Sequence, residues 1–230
     1  MKISIIIPCF NEEKTIEKII DKILVIKDLD KEIIVIDDFS SDQSRYIIEK
    51  KLSSKINTFY FNDKNYGKGY CIRKGIQLAK GDIVLIQDAD LEYDPSDYLN
   101  LVNPIINNDA DVVYGSRFKS SAETRVLFFW HTVGNKFLTL MSNIFTNLNL
   151  TDMEVCYKAF KSEIIKNIIL REDRFGFEPE ITAKISKKNL RIYEVGVKYF
   201  GRTYAEGKKI NWKDGFSAIR CIIKYNLFDK

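Results

Sequence analysis

Asp88 and Asp90 stand two residues apart, directly after the apolar run 83–86. Four consecutive apolar residues read as a central strand buried on both faces. Residues i and i+2 of an extended strand point the same way, so the two carboxylates can converge on one point. Hard oxygen ligands so arranged suit Mg2+ or Mn2+, and such a cation can hold substrate phosphates. The plainer reading is a solvated acidic turn ahead of Pro95, where aspartate is at home. Asp-x-Asp alone does not separate the two.

Two further strand ends sharpen the choice. The apolar run 3–7 closes on Pro8-Cys9-Phe10-Asn11-Glu12, and the run 32–36 closes on Asp37-Asp38. Between them Asn11 is expected to cap a helix whose inner face is Ile16, Ile19, Ile20 and Ile23. Asp42 is expected to start another, followed by a short strand at 58–61. Asn65-Tyr66-Gly67-Lys68-Gly69 opens a helix through Leu78, and 111–115 reads as a fifth strand. Strand and helix in alternation predict an α/β fold with a mostly parallel sheet flanked by helices. The three polar strand ends would then share the edge where open α/β sheets bind ligands. One acidic strand end is usually a helix cap, whereas three on one edge favour a nucleotide pocket. A phospho-receiver domain also gathers an acidic pair, an aspartate and a lysine, but it is a much shorter fold with a single central aspartate.

Length and composition bound the rest. The 230 residues suit one domain spanning 1–230, with a nucleotide-binding half over 1–118 and an acceptor-side half over 119–230. Hydrophobic content of 45% is ample for a core, and a net charge of +4 does not suggest a nucleic-acid binder. Cys9, Cys71, Cys156 and Cys221 are scattered and form no metal-type pair. With no secretory leader in the chain, they read as reduced thiols of a cytosolic protein. The apolar run 126–130 is too short to span a bilayer.

Taken in order, four motifs resemble family 2 glycosyltransferases of the GT-A fold: Ile7-Pro8-Cys9-Phe10-Asn11-Glu12, Val35-Ile36-Asp37-Asp38-Phe39-Ser40-Ser41-Asp42, Asn65-Tyr66-Gly67-Lys68-Gly69 and Asp88-Ala89-Asp90-Leu91. Gly115-Ser116-Arg117-Phe118, Thr151-Asp152, Phe177-Glu178-Pro179-Glu180 and the stretch 201–209 extend the match, which is most similar to the dolichyl- and polyprenyl-phosphate mannosyltransferase branch. The resemblance implies that Pro8, Phe10, Glu12, Ile36 and Asp38 hold the base and ribose of a GDP- or UDP-sugar, with Lys68 on the glycine loop nearby. It implies a metal and diphosphate site at Asp88, the Ala89 backbone, Asp90 and Glu92, and phosphate-neutralising roles for Arg117, Arg202 and Lys208. A departing diphosphate develops negative charge, which a cation and guanidinium groups stabilise. The implied reaction is inverting transfer to a polyprenyl phosphate of the cell envelope at the cytoplasmic membrane face. Transfer to a sugar hydroxyl of a surface polysaccharide, or a nucleotide-sugar-binding pseudoenzyme, are the alternatives. Asp152 would be the general base for a hydroxyl and an orienting group for a phosphate.

The chain also departs from that pattern. Phe39 stands where the family usually has glycine, and a turn needing positive φ would be strained there. Glu92 replaces a more usual glutamine. The transmembrane helices that follow the catalytic domain in several relatives are absent, which leaves room for a membrane subunit as partner. The segment 126–150 carries Trp130, Phe137, Met141, Ile144, Phe145 and Leu148, a candidate face for the bilayer interface or an ordinary core helix, and His131 within it reads as structural. From Lys184 onward twelve Lys and Arg face four acids, so this stretch carries +8 and everything before it −4. Anionic headgroups suit such a stretch. Trp212, Phe216, Ile219, Ile223 and Leu227 fall there at helical spacing.

Overall fold

The computed structural model describes residues 1–119, 124–126, 128–207 and 212–229, without the side chains of Tyr204, Trp212 and Lys213. The first half is β1 (Ile3–Cys9), α1 (Ile16–Val25), β2 (Lys31–Asp37), α2 (Ser44–Tyr46), β3 (Thr58–Phe61), α3 (Lys68–Leu78), β4 (Ile83–Ile86), α4 (Tyr98–Ile106) and β5 (Val112–Ser116). The second is α5 (Phe129–Thr146), β6 (Lys158–Lys161), α6 (Ser162–Lys166), α7 (Phe177–Ser186), β7 (Ile192–Gly196) and α8 (Trp212–Ile223). The strands form one sheet in the order β3-β2-β1-β4-β6-β5-β7. β1, β2, β3 and β4 pair in parallel, as do β5 and β7, while β6 runs antiparallel between β4 and β5. The expected mostly parallel sheet is therefore present, with one reversed strand inside it. That strand reads KAFK, four residues with a lysine at each end, and offers no apolar run to detect.

The β1 and β4 cores, Ile5, Ile6, Ile7 and 83–86, are sealed from water, as are Ile16, Ile19, Ile20 and Ile23 on the inner face of α1. A fully apolar strand needs cover on both faces, and the helices supply it. The start of α1 differs from expectation. Asn11 does not cap it: the residue sits at φ 51, and its Oδ1 accepts from Ser41 N at 2.8 Å, tying the β1 end to the β2 end. Asp42 stands just ahead of α2, accepting from Ser44 N at 2.9 Å and Glu13 N at 3.0 Å.

α5 packs on α7 and α8. Leu138, Thr139, Ser142 and Thr146 face inward, and Asn147 ends the helix in the left-handed conformation at φ 55. Met141 and Leu148 pack against the core, so they leave the proposed interfacial face. Trp130, Phe137 and Ile144 remain outward, joined by Val133 and Leu140. The buried side of α8 is Ala218, Cys221 and Ile222, followed by Tyr225, while Phe216, Ile223 and Leu227 lie exposed. Of the residues expected at helical spacing, Ile219 packs against the core, these three lie outward, and the Trp212 side chain lies outside the described residues.

Candidate active site

The ends of β1, β2 and β4 bring Glu12, Asp37, Asp38, Asp88 and Asp90 to one edge of the sheet, as three parallel neighbours must. Asp38 is buried, and its carboxylate is engaged: Oδ1 accepts from Tyr66 N (2.9 Å) and Asn62 Nδ2 (2.8 Å), and Oδ2 accepts from Gly67 N (2.7 Å). It pins the loop that opens α3. Gly67 there holds φ 108, and a side chain at Gly69 would strike the Glu172 carbonyl. This loop aims Lys68 so that its Nζ lies 2.9 Å from Asp88 Oδ1 and 3.3 Å from Glu178 Oε1. Burial opposes the Lys68 ammonium, but Asp88, Cys156 and Glu178 outweigh it and hold its pKa well above the usual lysine range. Burial likewise opposes the Asp88 charge, and Lys68, Cys156 and Arg202 together more than offset it, so Asp88 stays below its ordinary value.

Ile36 is wholly buried in β2, and its side chain belongs to the core. Phe10 is 36% exposed and Phe39 47%, both at the polar edge, while Pro8 is half-buried on β1. Phe39 does adopt positive φ, at 64°, as the departure from glycine led us to expect. Arg45 steadies that turn. Its guanidinium lies 5.6 Å from the Phe39 ring and 4.8 Å from the Phe61 ring, with Nε 3.1 Å from Asp37 Oδ1.

Arg202 reaches the acidic edge from the far end of the chain. Its Nη2 lies 2.7 Å from Asp90 Oδ2 and 3.2 Å from Glu12 Oε1, and its Nε 3.5 Å from Glu92 Oε1. Burial, Asp88 and Glu92 push the Asp90 carboxyl up to about 8 against the pull of Arg202. Glu92, the expected third metal ligand, is engaged by other groups. Glu92 accepts from Arg202 N at 2.8 Å and Tyr199 OH at 3.1 Å, and among the described residues no three His, Cys, Asp or Glu side chains close on a common point. Asp88 and Asp90 remain as a pair. Two carboxylates completed by substrate phosphates and water are how Mg2+ is usually bound, and the charge pressure on Asp90 is of the kind a dication relieves. The residues present fit a divalent cation.

Arg117 follows β5. It grips Asp152 with Nε (2.7 Å), Nη2 (2.6 Å) and its backbone N (3.0 Å), and it lies over the Tyr199 ring at 5.3 Å. Asp152 is completely buried in this fork. Lys208, the remaining phosphate-neutralising candidate, lies outside the described residues. Residue reasoning overlooked Tyr199, Glu154 and Lys158. The last two are a charged pair inside the apolar stretch 153–160, and that incongruity was a readable signal.

Sheet order, polar edge and flanking helices together are the GT-A fold of glycosyltransferases. Glucosyl-3-phosphoglycerate synthase from Mycobacterium tuberculosis, solved with Mn2+, uridine diphosphate and glucosyl-3-phosphoglycerate, shares it at TM-score 0.76 and 20% identity, over 98% of this chain and 80% of that one. The chain belongs to glycosyl transferase family 2, whose model matches residues 4–169. It is 30% identical to the UDP-N-acetylglucosamine–dolichyl-phosphate N-acetylglucosaminyltransferase of Methanococcus voltae, over 93% of this chain and 92% of the relative. It is 27% identical to the dolichol-phosphate mannosyltransferase of Pyrococcus furiosus over 91% of its length, spanning only 61% of that longer protein.

Proposed function

We propose that this glycosyltransferase moves a sugar from a nucleoside diphosphate donor onto the phosphate of a polyprenyl lipid, with inversion, while resting on the cytoplasmic face of a membrane. The observation that carries the acceptor class is the state of Asp152. Both of its oxygens are occupied by Arg117. A hydroxyl acceptor needs a base to take its proton, whereas a phosphate arrives ionised and needs none. An Arg117 held rigid by Asp152 is suited to steer a phosphate oxygen toward the anomeric carbon, and bidentate anchoring fixes its direction. As the acceptor oxygen forms its bond, the donor diphosphate departs, and Lys68 and Arg202 stand at that edge to balance its charge. A divalent cation on Asp88 and Asp90 would add further neutralisation of that leaving group. Both named lipid-linked relatives agree with this reading, and neither name speaks for a separate membrane subunit.

The membrane reading rests on the outer faces of α5 and the C-terminal segment. Trp130 is 78% exposed, Ile144 70% and Phe228 77%, beside a stretch of net positive charge. No helix among the described residues is long and apolar enough to cross a bilayer. Exposed aromatics beside lysines suit the headgroup boundary of an anionic surface. Sedimentation with anionic liposomes should show binding at low salt that weakens at high salt, and absence of low-salt binding overturns it. The transfer itself is tested with radiolabelled GDP- and UDP-sugars, Mg2+ or Mn2+, and either a polyprenyl phosphate or a sugar-hydroxyl acceptor. Label should enter the lipid phosphate; transfer to the hydroxyl alone refutes the assignment.

A further inference from the structure

Glu178, which contacts Lys68, and Glu154, which feels the charge of Glu178, each have an oxygen that nothing in the protein satisfies. Glu178, on the first turn of α7, is 4% exposed, and its Oε2 is buried without a hydrogen-bond partner. Glu154, between Asp152 and Cys156, has a buried Oε1 in the same condition. A buried acceptor without a donor is destabilising by ~1–3 kcal/mol, and native interiors hold few of them. The nearby cations are directed elsewhere. Lys158 is fully buried, yet its Nζ donates to Met153 O and Val155 O, and Arg117 keeps its fork on Asp152. Burial and the charge of Glu178 push the Glu154 carboxyl up to about 8, although Lys158 and Arg117 pull it down.

Glu178 lies one lysine away from the diphosphate edge, and Glu154 follows behind it. Lys68 Nζ touches Asp88 on one side and Glu178 on the other, and Cys156, two residues from Glu154, hydrogen-bonds Asp88. A glycosyl group attached to a diphosphate at Asp88 and Asp90 has its hydroxyls within the reach of that neighbourhood. Sugar hydroxyls are uncharged donors, which is what two orphaned acceptor oxygens lack.

We propose that Glu154 and Glu178 read the glycosyl group of the donor, accepting hydrogen bonds from its hydroxyls, so that the pocket admits a neutral hexosyl group and refuses a hexuronosyl one. This rests on the donor reading given above. The refusal follows from charge: a uronate would add a third carboxylate beside two already crowded ones, and specificity is built from such repulsion as much as from attraction. A site shaped to bond hydroxyls also discriminates strongly against donors that leave its buried polar groups unpaired.

Calorimetry with Mn2+ present tests this without the acceptor. The ligands are UDP, GDP, UDP-glucose, UDP-N-acetylglucosamine and GDP-mannose, together with the uronate of the same nucleotide as the tightest neutral donor. In Glu154→Gln and Glu178→Gln, affinity for the bare diphosphate should be unchanged, which also reports an intact fold. Affinity for the neutral donor should fall roughly 10- to 100-fold. The preference for the neutral donor over its uronate should shrink by about tenfold or more in Glu178→Gln, whereas Glu154→Asp, which keeps the carboxyl group, should retain it. Wild-type donor affinity and wild-type preference in both glutamine variants, with UDP or GDP still bound, overturn this inference alone. A wild-type protein that binds neither diphosphate overturns the donor reading and this inference with it.

Discussion

Residues 1–118 and 119–230 contribute to the site in opposite ways. The first half presents carboxylates from the ends of β1, β2 and β4, strands buried on both faces and locked in register. The second half supplies single side chains from separate elements: Asp152 beside α5, Glu178 on α7, and Arg202 beyond β7. Their partners are remote, Arg202 reaching Glu12 across 190 positions and Arg117 reaching Asp152 across 35. A parallel sheet can hold an acidic array rigid because its backbone is satisfied within the sheet. Arg45 on α2 and Lys68 on α3 balance part of it, and Arg202 closes over it from the second half. The first half is thus a preformed acidic frame with cations of its own, Arg45 and Lys68, and the second half adds single groups of either sign.

The largest expected effect removes the frame. Asp90→Ala should lower turnover by at least roughly 10³-fold. Arg202 keeps Glu12 and Glu92 as partners, so the fold should survive with no loss of Tm. Donor affinity should lose its dependence on divalent cation. If the wild type binds donor equally well with and without EDTA, the metal role of this edge is gone and the two halves differ less than we hold.

A second test compares the two ends of the buried fork. Arg117→Ala should lower transfer to a polyprenyl phosphate by roughly 10²–10³-fold. Asp152→Asn, which leaves the guanidinium present but loosely aimed, should lower it only about tenfold. Each breaks a pair that is nearly dry, so a stability loss of about 3–5 kcal/mol in urea titration should accompany either change. Transfer to a sugar hydroxyl, lost outright in Asp152→Asn, would instead make Asp152 a base.

The same contrast explains what the residues revealed in advance. Strand ends β1, β2 and β4 were legible because apolar runs stop abruptly at acids, and parallel neighbours must then share an edge. The inner face of α1 was legible from its spacing. β6 was not, because its lysines conceal a buried strand whose Lys158 finds carbonyls only after folding. The engagement of Asp38 by Tyr66, Gly67 and Asn62 was also hidden, since it depends on how a later loop returns to β2. Short-range patterning reports burial. It does not report which of two adjacent aspartates is left with an unpaired oxygen, and that one is Asp37, whose Oδ2 is buried without a partner.

A smaller effect probes how the second half is tethered. Glu172 accepts from Tyr225 OH (2.7 Å), Arg220 Nη2 (2.6 Å) and Lys224 Nζ (3.0 Å), fastening the C-terminal helix to the segment that leans on Gly67 and Gly69. Burial opposes its charge, but these donors outweigh it and hold the carboxyl at about 2. Its folded pKa lies below the ordinary 4.5, so its contribution is fully present above that value and is lost as pH falls toward 2. Glu172→Gln should therefore be less stable by about 1–2 kcal/mol at neutral pH, after discounting for solvent screening. The gap should stay level down to about pH 4.5 and narrow below it. A gap independent of pH would mean that packing, not charge, ties the helix down.

The smallest effect lies back in the rigid half, at Phe39. A residue with a side chain at φ 64 carries about 1–2 kcal/mol of strain that glycine would not. Against that relief stand the Arg45 contact, about 0.5–1 kcal/mol at an exposed site, and the greater freedom of glycine in the unfolded chain, about 0.4–1 kcal/mol. Arg45 itself stays anchored by Asp37 and Phe61. Phe39→Gly should consequently change stability by no more than about 1 kcal/mol in either direction. Nucleotide affinity should fall about three- to tenfold, because an exposed ring at the β2 end offers a flat face for a base. Strain kept at a binding edge is expected where function holds it there. Thermal melts paired with UDP and GDP titrations separate the outcomes: a variant both markedly less stable and equally able to bind would show that Phe39 is there for packing, and that the β2 end holds no strain for a ligand.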